Sequence, residues 1–262
     1  MTRALVLDCD GVLADTELDG HLVAFNRTFE ELGLPFQWTP EEYGELLRVG
    51  GGKERMKAYL AQHPEIDLGS PEQLDERIAA AHTRKSALYV ELVEAGALPA
   101  RPGIARIVGE ALDAGWLVAC ASTSALASVE AVLASVVGPE QRARMAGVFA
   151  GDVVPAKKPA PDIYLLAASE LGVAIDDVVV IEDSQSGAAA AAAAAMAHVV
   201  TVSHFTHDDA FPAATTIVSA LGEADAPASL IAGLDARNAD GFVDLAGLER
   251  VLEHHRAAAA AS

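Results

Sequence analysis

Positive charge is scarce in this chain. Its 18 lysines and arginines stand against 38 aspartates and glutamates, a formal charge of −20 at pH 7. That balance excludes nucleic acid or an anionic membrane as the main partner, because both repel an acidic surface. A phosphorylated substrate fits only where a local group of lysines or arginines and a divalent cation reverse the field. Cysteine is scarce as well. Cys9 and Cys120 both fall in apolar, strand-like runs, which points to buried thiols in a reducing compartment rather than a disulfide. No apolar run reaches the ~18 residues of a membrane span, and no signal peptide is evident. A cytoplasmic protein is the expectation. What the chain does have is 262 residues, 52% of them hydrophobic and 21% charged. That is enough for one large α/β domain or two small ones with a substantial core.

The most informative segment is Ala4-Leu5-Val6-Leu7-Asp8-Cys9-Asp10-Gly11. Four apolar residues bounded by a turn signal predict a buried strand. Asp8 and Asp10 then stand where the chain leaves the C-terminal edge of a sheet, the side on which open α/β folds bind ligands. Two carboxylates one residue apart suit one metal or one reaction centre, as nucleophile, ligand or proton carrier. A hard cation such as Mg²⁺ takes such oxygen ligands. Taken alone, Asp-x-Asp-Gly after a strand also reads as a solvated turn.

Downstream the pattern changes twice. From Thr16 to about Ala97 every periodic segment is helical: 21–32, with Leu22, Phe25, Phe29 and Leu32 at helical spacing, then 40–47, 53–62 and 71–94. After Arg101-Pro102-Gly103 the segments alternate. Helices are expected over 104–114, 125–137, 162–171 and 187–197, and strands over 116–121, 147–150, 178–181 and 199–202. Alternation means parallel strands with crossover helices. The expected fold is α/β, a Rossmann-like parallel-sheet core over 1–16 and 97–262 with a helical cap over 17–96 inserted after the first strand. The connections near Asp15–Leu18 and Ala97–Arg101 are expected to pair as a hinge. Ala188–Ala195 reads as helix, since alanine is the best helix former. Ala257–Ala261 reads as a frayed tail. The acidic run from Asp235 to Gly241 lacks the regular ligand alternation and closing Glu of a calcium loop, and reads as a solvated turn.

Each expected core strand ends in polar groups of one chemical theme. Ser122-Thr123-Ser124 offers hydroxyls for phosphoryl oxygens, or a helix N-cap. Lys158 offers a cation, or a surface charge. Glu182-Asp183 is a second carboxylate pair, or a cap for the alanine-rich helix. In a parallel sheet these ends converge on one edge. Within the cap, Gly50-Gly51-Gly52 followed by Lys53 and Arg55 reads either as a phosphate-binding loop or as a glycine break before a helix with a basic first turn. It is not a nucleotide P-loop, since Lys53 is not followed by Ser or Thr and no strand precedes it.

Asp8-x-Asp10-Gly11, Ser122 or Thr123, Lys158 before Pro159, and Glu182-Asp183 together resemble the four motifs of the haloacid dehalogenase superfamily. The resemblance covers nearly the whole chain, the helical insertion included. Asp15-Thr16-Glu17 and Lys158-Pro159-Ala160-Pro161-Asp162 are similar to its β-phosphoglucomutase-like branch. Asp19-Gly20-His21, Gly51-Gly52-Lys53-Glu54-Arg55, Arg101-Pro102-Gly103, Ser122-Thr123-Ser124 and Gly151-Asp152-Val153-Val154-Pro155 are similar to that branch's CbbY-like phosphatases, which act on xylulose-1,5-bisphosphate.

The resemblance implies distinct roles. Asp8 would attack phosphorus and form an aspartyl-phosphate, and Asp10 would move protons. Mg²⁺ would bind the Asp8 side chain, the Asp10 backbone carbonyl and Asp183, with Glu182 near its water shell. Ser122 and the amides after Asp8 would hold phosphoryl oxygens while Lys158 neutralises charge. Thr123 and Ser124 become candidate substrate contacts. Lys53 and Arg55 suit the distal phosphate of a bisphosphate, with Glu17, His21 and Lys85 as sugar or phosphate contacts and His82 unassigned. The implied protein is a monomeric, Mg²⁺-dependent sugar-bisphosphate phosphatase with no nucleic-acid or membrane partner. A β-phosphoglucomutase or a broad-specificity sugar-phosphate phosphatase is the alternative activity. The rival of another class is a binding protein that keeps the fold without turnover. Two departures stand out: Ala195-Met196-Ala197-His198 occurs where glycine is common, and Cys9 replaces a larger apolar residue.

Overall fold

The computed structural model describes residues 2–49 and 51–261; Gly50, the first glycine of the expected cap loop, lies outside them. The chain divides into two compact units, Met1–Asp15 with Pro99–Ser262, and Thr16–Leu98. The first strand, β1 (Ala4–Leu7), is buried along its whole length. The chain then enters the all-helical unit. A stretch of π-helical turns over Thr16–Leu22 runs into α1 (Val23–Glu31), followed by α2 (Pro40–Leu46), α3 (Gly52–Gln62) and α4 (Pro71–Glu94). Local chemistry sets two of these starts. Thr39 with Glu42 and Ser70 with Gln73 form reciprocal capping boxes that satisfy otherwise orphaned amides. Phe25, Phe29, Phe36, Trp38, Tyr43 and Tyr59 pack as an aromatic core, with neighbouring ring centroids 4.7–6.1 Å apart.

The second unit resumes at α5 (Ile104–Asp113) and alternates as expected: β2 (Leu117–Ser122), α6 (Leu126–Val136), α7 (Gly138–Arg144), β3 (Gly147–Ala150), α8 (Asp162–Leu171), β4 (Val178–Glu182), α9 (Gln185–Ala193) and β5 (Ala197–Thr201). It closes with β6 (Thr216–Val218), β7 (Leu230–Gly233) and α10 (Leu245–Ala260). The strands form one sheet in the order β3-β2-β1-β4-β5-β6-β7. β1 pairs in parallel with β2 and β4, so Leu7 lies level with Cys120 on one side and Ile181 on the other. That register brings the ends of the three strands to one edge, at the centre of the sheet. Under it, Val6, Val178 and Val180 pack against Ile163 and Tyr164 of α8 and Ala190 and Ala191 of α9. The alanines leave no long side chain between α9 and the sheet, which explains the low-complexity run.

Several expectations are corrected. The sheet is not wholly parallel, because β7 runs antiparallel to β6 as an edge strand. α7 replaces an expected loop, entered through Gly138 at φ 78° with Pro139 in its first turn. The alanine-rich helix stops at Ala193, and β5 begins two residues early, at Ala197. The turn between them is made by Ala195 at φ 56°, the left-handed conformation that glycine commonly supplies. Ala257–Ala260 continue α10 rather than fray; Leu248, Val251 and Leu252 anchor that helix in the core, and Arg256 pairs with Asp177 beside it. The acidic run is a turn, as expected. Asp235 pairs with Arg237 at 2.8 Å, Asn238 accepts amides from Asp240 and Phe242, and Asp244 caps α10. The two connections between units meet: Ala14 and Ala100 form an antiparallel bridge, and Arg101 N donates to Leu13 O at 2.9 Å. Cys9 and Cys120 are both buried and free. No helix among the described residues is long and apolar enough to cross a membrane.

Candidate active site

The three central strand ends build the site. Asp8, one residue past β1, donates its amide to Ile181 O at 3.0 Å and so continues the ladder toward β4. Lys158 reaches this edge from the loop after β3. Its Nζ donates to Asp8 Oδ1 at 2.5 Å, Glu182 Oε1 at 2.6 Å and Ala121 O at 3.2 Å, and it lies 5.0 Å from the Tyr164 ring centroid. All three charged groups are buried, with side-chain exposures of 7% for Lys158, 10% for Asp8 and 0% for Glu182. Glu182 is fully engaged. Tyr164 donates its hydroxyl to Oε1, while Oε2 accepts from Asp183 N, Ser184 N and the Ser184 hydroxyl. Glu182 therefore aims Lys158 at Asp8.

The electrostatics follow from three buried carboxylates of which one lysine bonds two. Burial, reinforced by Glu182 and Asp10 and only partly offset by Lys158, pushes the Asp8 carboxyl up to about 7. Burial, with the charges of Glu182 and Asp8, drives Asp183 well above the carboxylate range. Burial also opposes charge on Glu182, but Lys158 and the hydrogen bonds to it prevail and hold its pKa low. Lys158 is held well above its usual value because its two carboxylates outweigh its own burial.

This donor set fits a hard divalent cation. One carboxylate oxygen from each of Asp8, Glu182 and Asp183 lies within 4.8 Å of the others, the one such group among the described residues. The set has oxygen donors and an excess of negative charge that a cation would relieve. Gly11, at φ 78°, closes the cradle: a Cβ there would enter the Asp183 carboxylate. The Asp10 side chain is outside that group of three.

The hydroxyl edge divides. Ser122, ending β2, is buried and its Oγ accepts Ser124 N at 3.1 Å. Thr123 is exposed. Ser124 donates its hydroxyl to Asp10 Oδ2, so it partners the second aspartate. Residues beyond the sequence reading also support the site. Tyr164 fixes Glu182, as described. Arg101 donates to Gly11 O, to Thr201 O at 2.8 Å, to Val202 O at 2.5 Å and to Ser219 O at 2.8 Å, tying the turn after Asp10 to the ends of β5 and β6. Arg101-Pro102-Gly103 was visible in the sequence, but nothing local to it announces four carbonyl acceptors spread over the chain.

The helical unit holds its own cluster. Lys85 is buried, lies within hydrogen-bond distance of His21 Nδ1 at 2.8 Å and sits 4.8 Å and 5.2 Å from the ring centroids of Phe25 and Tyr89. Burial, then Lys85, Arg55 and His82, press the His21 pKa well below its usual value, so the imidazole is neutral and its Nδ1 accepts the lysine. Glu17 accepts the Tyr43 hydroxyl at 2.5 Å, and Tyr43 in turn accepts Arg55 at 2.7 Å. His82 is partly buried; its pKa is lowered by burial first and then by Lys85 and Lys53. The two cations expected to contact a distal phosphate lie in different surroundings. Lys53 is exposed, whereas Arg55 is 8% exposed and also donates to Leu46 O at 3.2 Å. Positions i and i+2 on a helix point to opposite faces.

A Rossmann-like sheet thus brings together, at its central edge, an aspartate clamped by a lysine and a carboxylate cradle that fits a divalent cation. The known proteins narrow that class. The model of the haloacid dehalogenase-like hydrolases matches residues 2–195. A CBBY-like protein of Arabidopsis thaliana is 48% identical over 225 residues, 85% of this chain and 70% of that one. The plasmid-borne protein CbbY of Cupriavidus necator is 42% identical over 226 residues, 86% and 88% of the two chains. Among solved structures, a mutant CbbY from Rhodobacter sphaeroides in complex with xylulose-1,5-bisphosphate superposes with a TM-score of 0.71 at 39% identity, covering 84% of this chain and 95% of that one. The chain belongs to the haloacid dehalogenase-like hydrolases. Within that family it is a phosphatase similar to the CbbY proteins.

Proposed function

We propose that the protein is a Mg²⁺-dependent sugar-bisphosphate phosphatase that hydrolyses xylulose-1,5-bisphosphate to a xylulose monophosphate. The observation that carries the chemistry is Asp8, buried and bonded at 2.5 Å to a lysine that Glu182 holds in place. The likeness to a CbbY protein solved with xylulose-1,5-bisphosphate supports the choice of sugar.

In this reading an Asp8 carboxylate oxygen attacks phosphorus in line. A bond forms from Asp8 to phosphorus, the bond from phosphorus to the sugar oxygen breaks, and Asp10 gives that oxygen its proton. Water then attacks phosphorus, Asp10 takes a proton from it, and Asp8 leaves as a carboxylate. Lys158 and the Ser122 hydroxyl stabilise the phosphoryl oxygens, whose charge is highest in the transition state. Asp8 and Asp183, with the Asp10 carbonyl, would hold Mg²⁺, and Glu182 would stand close by. When bound, the ion neutralises phosphoryl charge. Lys53 and Arg55 recognise the second phosphate, and the Lys85–His21 and Glu17–Tyr43 pairs recognise the sugar.

Incubation with Mg²⁺ and xylulose-1,5-bisphosphate should release one equivalent of phosphate, while the Asp8→Asn variant should release none above background. Release no greater than that of the variant overturns the substrate assignment. Hydrolysis of p-nitrophenyl phosphate that stops with EDTA and returns with Mg²⁺ tests the metal separately. Turnover undiminished by EDTA would remove the metal from the reading.

A further inference from the structure

Ser124 donates its hydroxyl proton to Asp10 Oδ2, and its backbone amide donates to Ser122 Oγ at 3.1 Å. It lies on the short connection from β2 to α6, half-buried, directly beyond the buried Ser122. A hydroxyl has one proton to give. With that proton directed at Asp10, Ser124 offers a substrate only lone pairs, which do not bind an anionic phosphate. We propose that Ser124 is a positioning residue for proton transfer: its hydroxyl bond to Oδ2 fixes the orientation in which the Asp10 carboxyl delivers a proton to the leaving group. The inference rests on the reading of Asp10 as general acid and deepens it.

The geometry links two halves of the reaction. Ser122 accepts from Ser124, which leaves its own O–H directed elsewhere, in this reading at a phosphoryl oxygen. Ser124 thus joins, through two bonds, the hydroxyl on the phosphoryl group and the carboxyl beside the departing oxygen. A displacement of about 1 Å in such an arrangement costs on the order of 10² in rate. A residue acting this way has a signature that a substrate contact or a packing role lacks. Its loss should matter most when the leaving group needs a proton.

The test uses phenyl phosphate and p-nitrophenyl phosphate, so its outcome does not depend on which sugar is the substrate. Phenolate is the poorer leaving group of the two and requires more proton transfer as it departs. The value of kcat/KM reports only the steps through the first phosphoryl transfer, so slow hydrolysis of the aspartyl-phosphate does not mask the effect. Ser124→Ala should lower kcat/KM for phenyl phosphate roughly tenfold more than for p-nitrophenyl phosphate. Asp10→Asn should shift the same ratio further, and Ser124→Thr, which keeps the hydroxyl, should restore it toward wild type. If Asp10→Asn shifts the ratio and Ser124→Ala lowers both esters equally or not at all, the inference is overturned while the acid role of Asp10 stands. If Asp10→Asn itself leaves the ratio unmoved, the acid role fails and the inference falls with it.

Discussion

The two units solve opposite electrostatic problems. At the sheet edge, Asp8, Glu182 and Asp183 are all buried together and one lysine bonds the first two, so negative charge is in excess. In the helical unit Arg55 and Lys85 are buried, with Lys53 exposed and His82 partly buried, and Tyr43 links Glu17 to Arg55. The first arrangement holds back charge on Asp8 and Asp183 and fits a cation. The second holds His21 neutral and fits an anion. The difference teaches that the −20 of the whole chain says little about either site. In the proposed reading, chemistry is carried by the acidic cluster at the sheet edge and recognition of a second phosphate by the cationic cluster of the helical unit.

The sharpest way to break this contrast is Lys158→Met. It leaves Asp8 and Glu182 buried without their cation, so turnover on any phosphate monoester should fall by roughly 10²–10³. Stability should fall by about 3–5 kcal/mol in urea unfolding. A stable, active variant would show that the lysine does not compensate those carboxylates. In the helical unit Arg55→Ala should raise KM for the bisphosphate and also cost about 1.5–3 kcal/mol, because its guanidinium bonds Tyr43 and the Leu46 carbonyl. Lys53→Ala, at an exposed position, should raise KM while leaving stability within about 0.5 kcal/mol. Equal effects of the two on unfolding would remove the distinction between them.

A smaller effect is set by pH. The folded protein keeps His21 well below the 6.5 of a free histidine, so the unfolded chain binds this proton more readily. The stability that comes from holding His21 neutral is complete above pH 6.5 and is lost as pH falls below it toward the folded value. Thermal unfolding at pH 7.5 and 5.5 should show a smaller drop for His21→Gln than for wild type; an equal or larger drop contradicts the assignment. The smallest expected change is at Ala195, which occupies a left-handed turn. Ala195→Gly relieves that conformation at the cost of a looser unfolded chain, and should stabilise by about 0.5–1 kcal/mol. Destabilisation would mean that the Ala195 methyl packs usefully.

How much of this was legible depends on where the information sits. Asp8, Lys158 and Glu182-Asp183 each follow an apolar run or a turn, so strand order alone brings them together. The pairing of Ser124 with Asp10 is not legible, because a hydroxyl beside a strand end reads equally as a phosphate contact. The different burial of Lys53 and Arg55 was there to be counted, since positions two apart on a helix point to opposite faces. Tyr164 and Arg101 act through partners 18 to 118 residues away, and no local pattern encodes those distances. β6 and β7 are three and four residues long, too short for an alternation to mark them. The spacing of Leu248, Val251 and Leu252, by contrast, was there to be read as α10.

The most direct test of the division between chemistry and recognition compares kcat/KM on xylulose-1,5-bisphosphate and on p-nitrophenyl phosphate for Lys158→Met and Lys53→Ala. The account predicts that Lys158→Met lowers both substrates together, whereas Lys53→Ala lowers only the bisphosphate, by roughly tenfold, the value of one charge-assisted contact. An equal loss on both substrates from Lys53→Ala, or no loss on either, would contradict it.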